Sequence, residues 1–166
     1  MNKKVLKAII FGVFIVTIIN ITGIFHNSAL TEEQVEGFVK KHELDPIAVK
    51  NGDDMTFILV EEGLYEVSHL TAKYDSDFTP YAWTESDRVM VRVISGDIVA
   101  ASVVFNEELS SQANVVTVQY ADGTSDSAIT DGDGGAFLLN ESDMKAEVAE
   151  VIVSDEAGNI LYHQEA

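Results

Sequence analysis

Residues 88–105 read RVMVRVISGDIVAASVVF, and their pattern decides the fold class. Val89, Val91 and Val93 alternate with Arg88 and Arg92, the period-two signature of a strand with one buried face. Ser95-Gly96-Asp97 then reverses the chain into a second apolar run, Ile98–Phe105, which predicts a hairpin.

The same grammar continues on both sides. Upstream, Met55–Val60 and Leu64–Ala72 read as strands joined at Glu61-Glu62-Gly63, after a turn at Asn51-Gly52-Asp53-Asp54. Tyr74–Thr84 (YDSDFTPYAWT) reads as an aromatic loop or irregular edge, because Pro80 cannot donate within a central ladder. Downstream, Asn106–Gln112 is a polar link with room for one helical turn. Strands are predicted at Val115–Tyr120, around Ser127–Thr130, at Ala136–Leu139, within Ala146–Ser154 and at Ile160–His163. Turn signals recurring every 8–12 residues or so point to a mainly β domain, an antiparallel immunoglobulin-like sandwich or an open barrel.

A single helix precedes these strands. Thr31-Glu32-Glu33-Gln34 is a capping box, and Val35, Phe38 and Val39 follow at helical spacing, with Leu44 extending the stripe. Acidic residues crowd its start and Lys40 and Lys41 its end, as the helix dipole favours, and Asp45-Pro46 stops it. The organisation expected is therefore residues 1–30 as a membrane anchor or export signal, 31–45 as a juxtamembrane helix and 46–166 as a β-rich extracytoplasmic domain.

Residues 8–25 (AIIFGVFIVTIINITGIF) form an 18-residue uncharged run behind Lys3, Lys4 and Lys7. A bilayer core about 30 Å thick needs about 20 helical residues, and Lys7 can extend the span by snorkelling. Lysines ahead of the run, and none for 14 residues after Phe25, put the N-terminus inside and the C-terminal domain outside. The rival reading is export with cleavage after Ala29, for which Asn27 is a poor fit two positions earlier.

All 28 acidic residues follow Leu30, while three of the ten basic residues precede it, so the outer 136 residues carry a formal charge of −21. A surface this acidic repels phosphate backbones and speaks against nucleic acid as a partner. The chain has no cysteine, which removes disulfides and thiolate chemistry.

Gly63–Val67 (GLYEV), Val115–Gly123 (VVTVQYADG) and Val151–Tyr162 (VIVSDEAGNILY) together resemble a group of small anchored or secreted β-rich proteins of Bacillus-like bacteria, whose function is unknown. That resemblance implies topology and fold class and carries over no functional residue.

Candidate sites are few. Asp131-Gly132-Asp133-Gly134-Gly135 suggests calcium, yet counting from Asp131 puts Gly135 at position five and Ser142 at position twelve, where a helix–loop–helix site needs ligands. A sandwich-loop site using Asp131 and Asp133 with Asp126 or Asp155 stands against a glycine-rich turn whose aspartates bond their own backbone. We read it as the turn. His26, His42, His69 and His163 lie at no metal-ligand spacing, and Ser68-His69, adjacent on a strand, point to opposite faces. Tyr74, Phe78, Tyr81 and Trp83, with Asp75, Asp77, Glu85 and Asp87 around them, offer a sugar- or peptide-binding rim, or else a plug for the open end of a sandwich.

No residue set qualifies as catalytic, cofactor-binding or metal-binding. The function expected is a tethered, non-enzymatic module binding an envelope protein, a peptide or a cationic ligand. The alternatives are a carboxylate-dependent hydrolase of the cell envelope, or an acidic domain adapted to salt or alkaline surroundings.

Overall fold

The computed structural model describes residues 27–70, 73–95, 98–130, 133–140 and 146–165. The hydrophobic run 8–25, the turn at Gly96-Asp97, and Asp131 fall outside these residues. Among the described residues no helix is long and apolar enough to cross a membrane.

The chain is mainly β, and its strands assemble into three antiparallel sheets that do not close into a barrel. Sheet 1 is a meander of β1 (Ala48–Asn51), β2 (Thr56–Val60), β3 (Gly63–Leu70) and β4 (Lys73–Pro80), in that order. Sheet 2 joins β5 (Val89–Ile94), β6 (Ala100–Phe105) and β9 (Gly135–Leu139), with β6 central. Sheet 3 has the order β11 (Ile160–Glu165), β10 (Val148–Ser154), β7 (Val115–Tyr120), β8 (Ser125–Ile129). Helix α1 (Glu32–His42) starts at the predicted capping box, with Thr31 accepting from the Gln34 amide and the Gln34 side chain accepting from Thr31 N–H. Asn106 caps a single turn, α2 (Glu107–Ser110).

Side-chain parity stacks these elements into layers. On β6, Ala101, Val103 and Phe105 face sheet 3, in a core with Val116, Val118, Val151 and Val153. Ala100 and Val104 face the other way, against Phe57, Leu59 and Leu64 of sheet 1, with Phe57 stacked on Phe137 at 4.9 Å. Every residue of β6 is buried, because both its faces are covered. The opposite face of sheet 1 presents Ile58, Val60 and Val67 to Leu30 and Phe38. The order through the molecule is therefore helix, sheet 1, sheet 2, sheet 3. A continuous apolar run such as AASVVF is what a doubly covered strand requires, whereas β7 alternates because one face meets solvent.

Two segments differ from the sequence reading. Ala48–Asn51 is a strand, where only a following turn is legible, and Lys73–Pro80 is an edge strand paired along its whole length with β3. Pro80 is tolerated because it ends that strand, on the sheet's edge.

The chain is stitched into the domain from residue 28. Ser28 and His69 form an antiparallel bridge, with both backbone hydrogen bonds in place at 3.2 and 2.9 Å. Leu30 is buried, donates its N–H to Thr56 Oγ1 at 2.8 Å, and accepts at its carbonyl from Asn51 Nδ2. The Thr56 hydroxyl in turn donates to Asn51 Oδ1 at 2.7 Å, so none of these buried polar groups lacks a partner.

Candidate acidic cleft

The helix C-terminus, the β2–β3 turn and the loop before β9 converge on a cleft of about 760 Å³. Six carboxylates line it: Glu43, Asp45, Glu61, Glu62, Glu107 and Asp133. Among the described residues no lysine or arginine does. Its apolar lining is aromatic and aliphatic, with Tyr65, Phe78 and Phe105 among Leu44, Ile47 and Val60. Tyr65 and Phe78 are cross-strand partners whose rings lie 4.4 Å apart.

Local chemistry fixes each wall. At the helix end, Glu43 takes the left-handed conformation (φ 53°), and its N–H returns to the Lys40 and Val39 carbonyls. Glycine is the usual residue there, and a residue with a Cβ costs about 1–2 kcal/mol in this region. Glu43 is the one non-glycine residue with positive φ among the described residues, so backbone strain and acidic charge coincide at the cleft. At the floor, a Cβ on Gly63 would meet the Thr79 carbonyl at 2.3 Å and the Phe78 ring at 2.9 Å. Only glycine lets the Phe78 ring lie across that turn. The third wall turns on Gly134, at φ 77°, which sits beside Ile47 and accepts the Phe105 N–H at its carbonyl.

Among the described residues no basic side chain pairs with any of the six carboxylates. Among the described residues the single ion pair joins His163 to Glu150, 3.3 Å apart and exposed, on sheet 3. No three His, Asp or Glu among the described residues stand close enough together to hold a metal ion. The cleft's negative charge is thus spread along its walls rather than gathered to a point. Clefts lined by one sign of charge focus the field and concentrate the opposite charge, and aromatic faces attract ammonium and guanidinium groups.

The residues singled out in the sequence scatter. Asp133 reaches this cleft. Asp126 instead accepts the Tyr120 hydroxyl at 2.9 Å, and Asp155 accepts from the Asn159 amide and side chain, both at 2.8 Å. That Asn159 pairing holds the Asp155 carboxyl below the usual carboxylate range. The aromatic set divides. Tyr74 and Phe78 lie on the helix side of sheet 1, Tyr74 edge-on to Phe38 at 5.7 Å. Tyr81 and Trp83 pack on the sheet 2 side, where Tyr81 Oη meets the buried Ser102 Oγ at 2.5 Å. Phe78 alone of the four lines the cleft, while Trp83 Nε1–H bonds the Glu61 carbonyl at its rim. His42 lines it too, its ring tilted against Phe38 with centroids 4.4 Å apart; His69 and His163 stand elsewhere.

Sequence reasoning missed Glu43, Asp45, Glu61, Glu62 and Glu107 as a group, since they come from three separate turns. The one local signal was the pairing of acidic residues with turn positions. Comparison with protein-family models, with curated proteins and with solved structures finds no match to this chain.

Proposed function

We propose that the chain is a membrane-tethered extracytoplasmic binding module that takes an extended cationic ligand, such as a lysine- or arginine-rich peptide, in the acidic cleft. The observation that carries the reading is the lining itself: among the described residues, six carboxylates and three aromatic rings around about 760 Å³, with no lysine or arginine among them. A volume of this size suits a peptide segment or a small organic cation. Spread carboxylates suit several ammonium or guanidinium groups along one chain better than one ion. The tether is residues 8–25, supported by their length, lack of charge and leading lysines.

An immunoglobulin-like reading of β5–β11 has its own support. Numbered one to seven, these strands place one, two and five in sheet 2, and seven, six, three and four in sheet 3. That is a Greek-key distribution over two facing sheets, with the fourth strand on the sheet of the third. Sheet 1 and α1 are additions to it, and they supply most of the cleft.

Trp83 is the sole tryptophan and its indole touches the cleft rim, so its emission reports occupancy directly. Titration with a short oligolysine peptide should shift that emission saturably. Glu61→Gln with Glu62→Gln and Glu107→Gln should weaken binding about threefold or more, since three charge contacts of about 0.2–1 kcal/mol each sum to roughly 0.6–3 kcal/mol against about 1.4 kcal/mol per decade. Removing three charges elsewhere, with Asp53→Asn, Asp54→Asn and Glu156→Gln, should change little. Equal weakening by both triple variants would reduce the effect to net charge and refute a cleft site.

A further inference from the structure

We infer that the cationic peptide docks by adding a strand to sheet 1 along the free edge of β4, its residues alternating between apolar and lysine or arginine, and enters the cleft beside Phe78. This deepens the reading of the cleft as a site for an extended cationic ligand and rests on it. β4 ends the sheet order, so among the described residues its eight positions have a strand on one side alone. Proteins blunt such edges with short strands, bulges or covering segments. β4 instead pairs with β3 in unbroken register, and its side chains are almost all exposed. Lys73 and Pro80 stand at its two ends and leave the middle open.

The Ser28–His69 bridge fixes which backbone groups face outward. His69 N–H and C=O both bond Ser28, which lies on the β2 side of β3 because β4 occupies the other. Backbone direction alternates along a strand, so Glu66 and Ser68 turn their groups toward β4 and pair with Asp77 and Asp75. Tyr74, Ser76 and Phe78 therefore point N–H and C=O away from the sheet. Phe78 bears this out, since its N–H is taken by the Asp77 carboxylate at 3.0 Å rather than by β3. Three outward residues at a spacing of two are the template that strand addition uses.

The side chains beside this edge select the occupant. Cross-strand partners share a face. Opposite Tyr74, Ser76 and Phe78, an added strand lays its side chains on the face where both rings are more than a third exposed, which suits apolar residues. Opposite Asp75 and Asp77 it lays them on the other face, where Glu66 stands directly across from Asp77. Like charges so placed destabilise a sheet, and among the described residues none of these three carboxylates is ion-paired. Lysine or arginine at those positions relieves the repulsion. A second copy of the chain would worsen it. Every antiparallel register of β4 on β4 centred on Asp75, Ser76 or Asp77 sets at least one aspartate directly opposite another. An antiparallel strand, the orientation of every pair in sheet 1, brings its N-terminal part beside Phe78, Glu61 and Glu62 at the cleft.

The full-length protein in neutral detergent is titrated with a short peptide alternating valine with lysine, read through Trp83 emission. Two relatives carry N-methyl groups, one on every valine and the other on every lysine. Valine nitrogens face β4 in the proposed register, so methylating them should weaken binding at least about tenfold. Lysine nitrogens face solvent, and methylating them should change affinity less than about twofold. Ser76→Pro removes the central outward donor and leaves the β3 ladder intact, so it should weaken the unmodified peptide without lowering the melting temperature. Asp75→Asn with Asp77→Asn should weaken that peptide at least about twofold. Equal affinities for the two methylated peptides, with the Glu61, Glu62 and Glu107 triple variant still weakening binding, would overturn strand addition and leave the cleft reading standing. No saturable binding of the unmodified peptide would overturn both. A dimer of the full-length protein that Ser76→Pro dissociates would give the edge to a second copy and overturn the peptide assignment.

Discussion

Between sheets 2 and 3 the core is mostly valine and alanine, whereas between α1 and sheet 1 the ring of Phe38 sits among Leu30, Ile58, Val60 and Val67, with the rings of Tyr65 and Tyr74 edge-on to it, Phe78 against Tyr65, and His42 tilted against Phe38. Small β-branched side chains let two sheets approach with few exposed apolar atoms. The rings pack at edges and angles, and they leave Tyr74 and Phe78 more than a third exposed. Strain and unpaired charge follow the same division. Glu43 holds its left-handed conformation at the cleft, and among the described residues the six cleft carboxylates meet no cation. The lesson is a division of labour within one chain: the valine layers supply stability, and the helix-capped sheet spends some of its own on a surface.

Substitution can break that contrast. Phe137 stacks on Phe57 between sheets 1 and 2, so Phe137→Ala should lower the stability of the whole domain by about 3–5 kcal/mol. Phe38→Ala removes a side chain of similar size, but only from under α1. Hydrogen exchange should then show residues 32–42 losing protection while β7 and β10 keep theirs. Uniform loss throughout the domain would mean that the helix and the sandwich form one cooperative unit.

A smaller effect of opposite sign is expected at the cleft. Glu43→Gly relieves the left-handed strain and should raise stability by about 1 kcal/mol, measured as a shift in the denaturant midpoint. The same change removes a cleft carboxylate and should weaken oligolysine binding. Stability and binding moving together would contradict a strained, functional Glu43.

The smallest effect lies in the sandwich at high pH. Burial first, and then the hydrogen bond to Asp126, raise the Tyr120 phenol above its ordinary value near 10. A raised folded-state pKa gives stability that is fully present below the unfolded value and is lost as pH climbs through the folded one. The melting temperature should therefore fall above pH 10, and fall less steeply in Tyr120→Phe. Identical slopes would remove Tyr120 as a contributor.

Much of the architecture was legible in the sequence, for identifiable reasons. The capping box at Thr31–Gln34 and the alternation of Val89, Val91 and Val93 are local signals, and both elements formed where they were predicted. That the strands form three layered sheets rather than two was not anticipated, although the trace of doubly covered strands was present. TFILV, AASVVF and GAFLL are unbroken runs rather than alternating ones, and a strand covered on both faces reads that way. The YDSDFTP segment was hidden because an exposed edge strand pairs through its backbone, and its side chains carry no periodic burial. The cleft was illegible for a different reason. Its carboxylates come from the α1 end, the β2–β3 turn, α2 and the loop before β9, and in a chain with 28 acidic residues none stands out until the sheets bring them together.

The most direct test maps the ligand onto the surface. Backbone amide shifts of residues 27–166 would be followed by nuclear magnetic resonance during titration with a short oligolysine peptide at physiological salt, where the Debye length is about 8 Å and diffuse attraction is screened. We expect the largest shifts at residues 42–47, 60–65, 105–110 and 133–134, converging on one saturating curve. Shifts spread evenly over exposed acidic turns such as Asp122 and Glu156, or none that saturate, would contradict a cation-binding cleft.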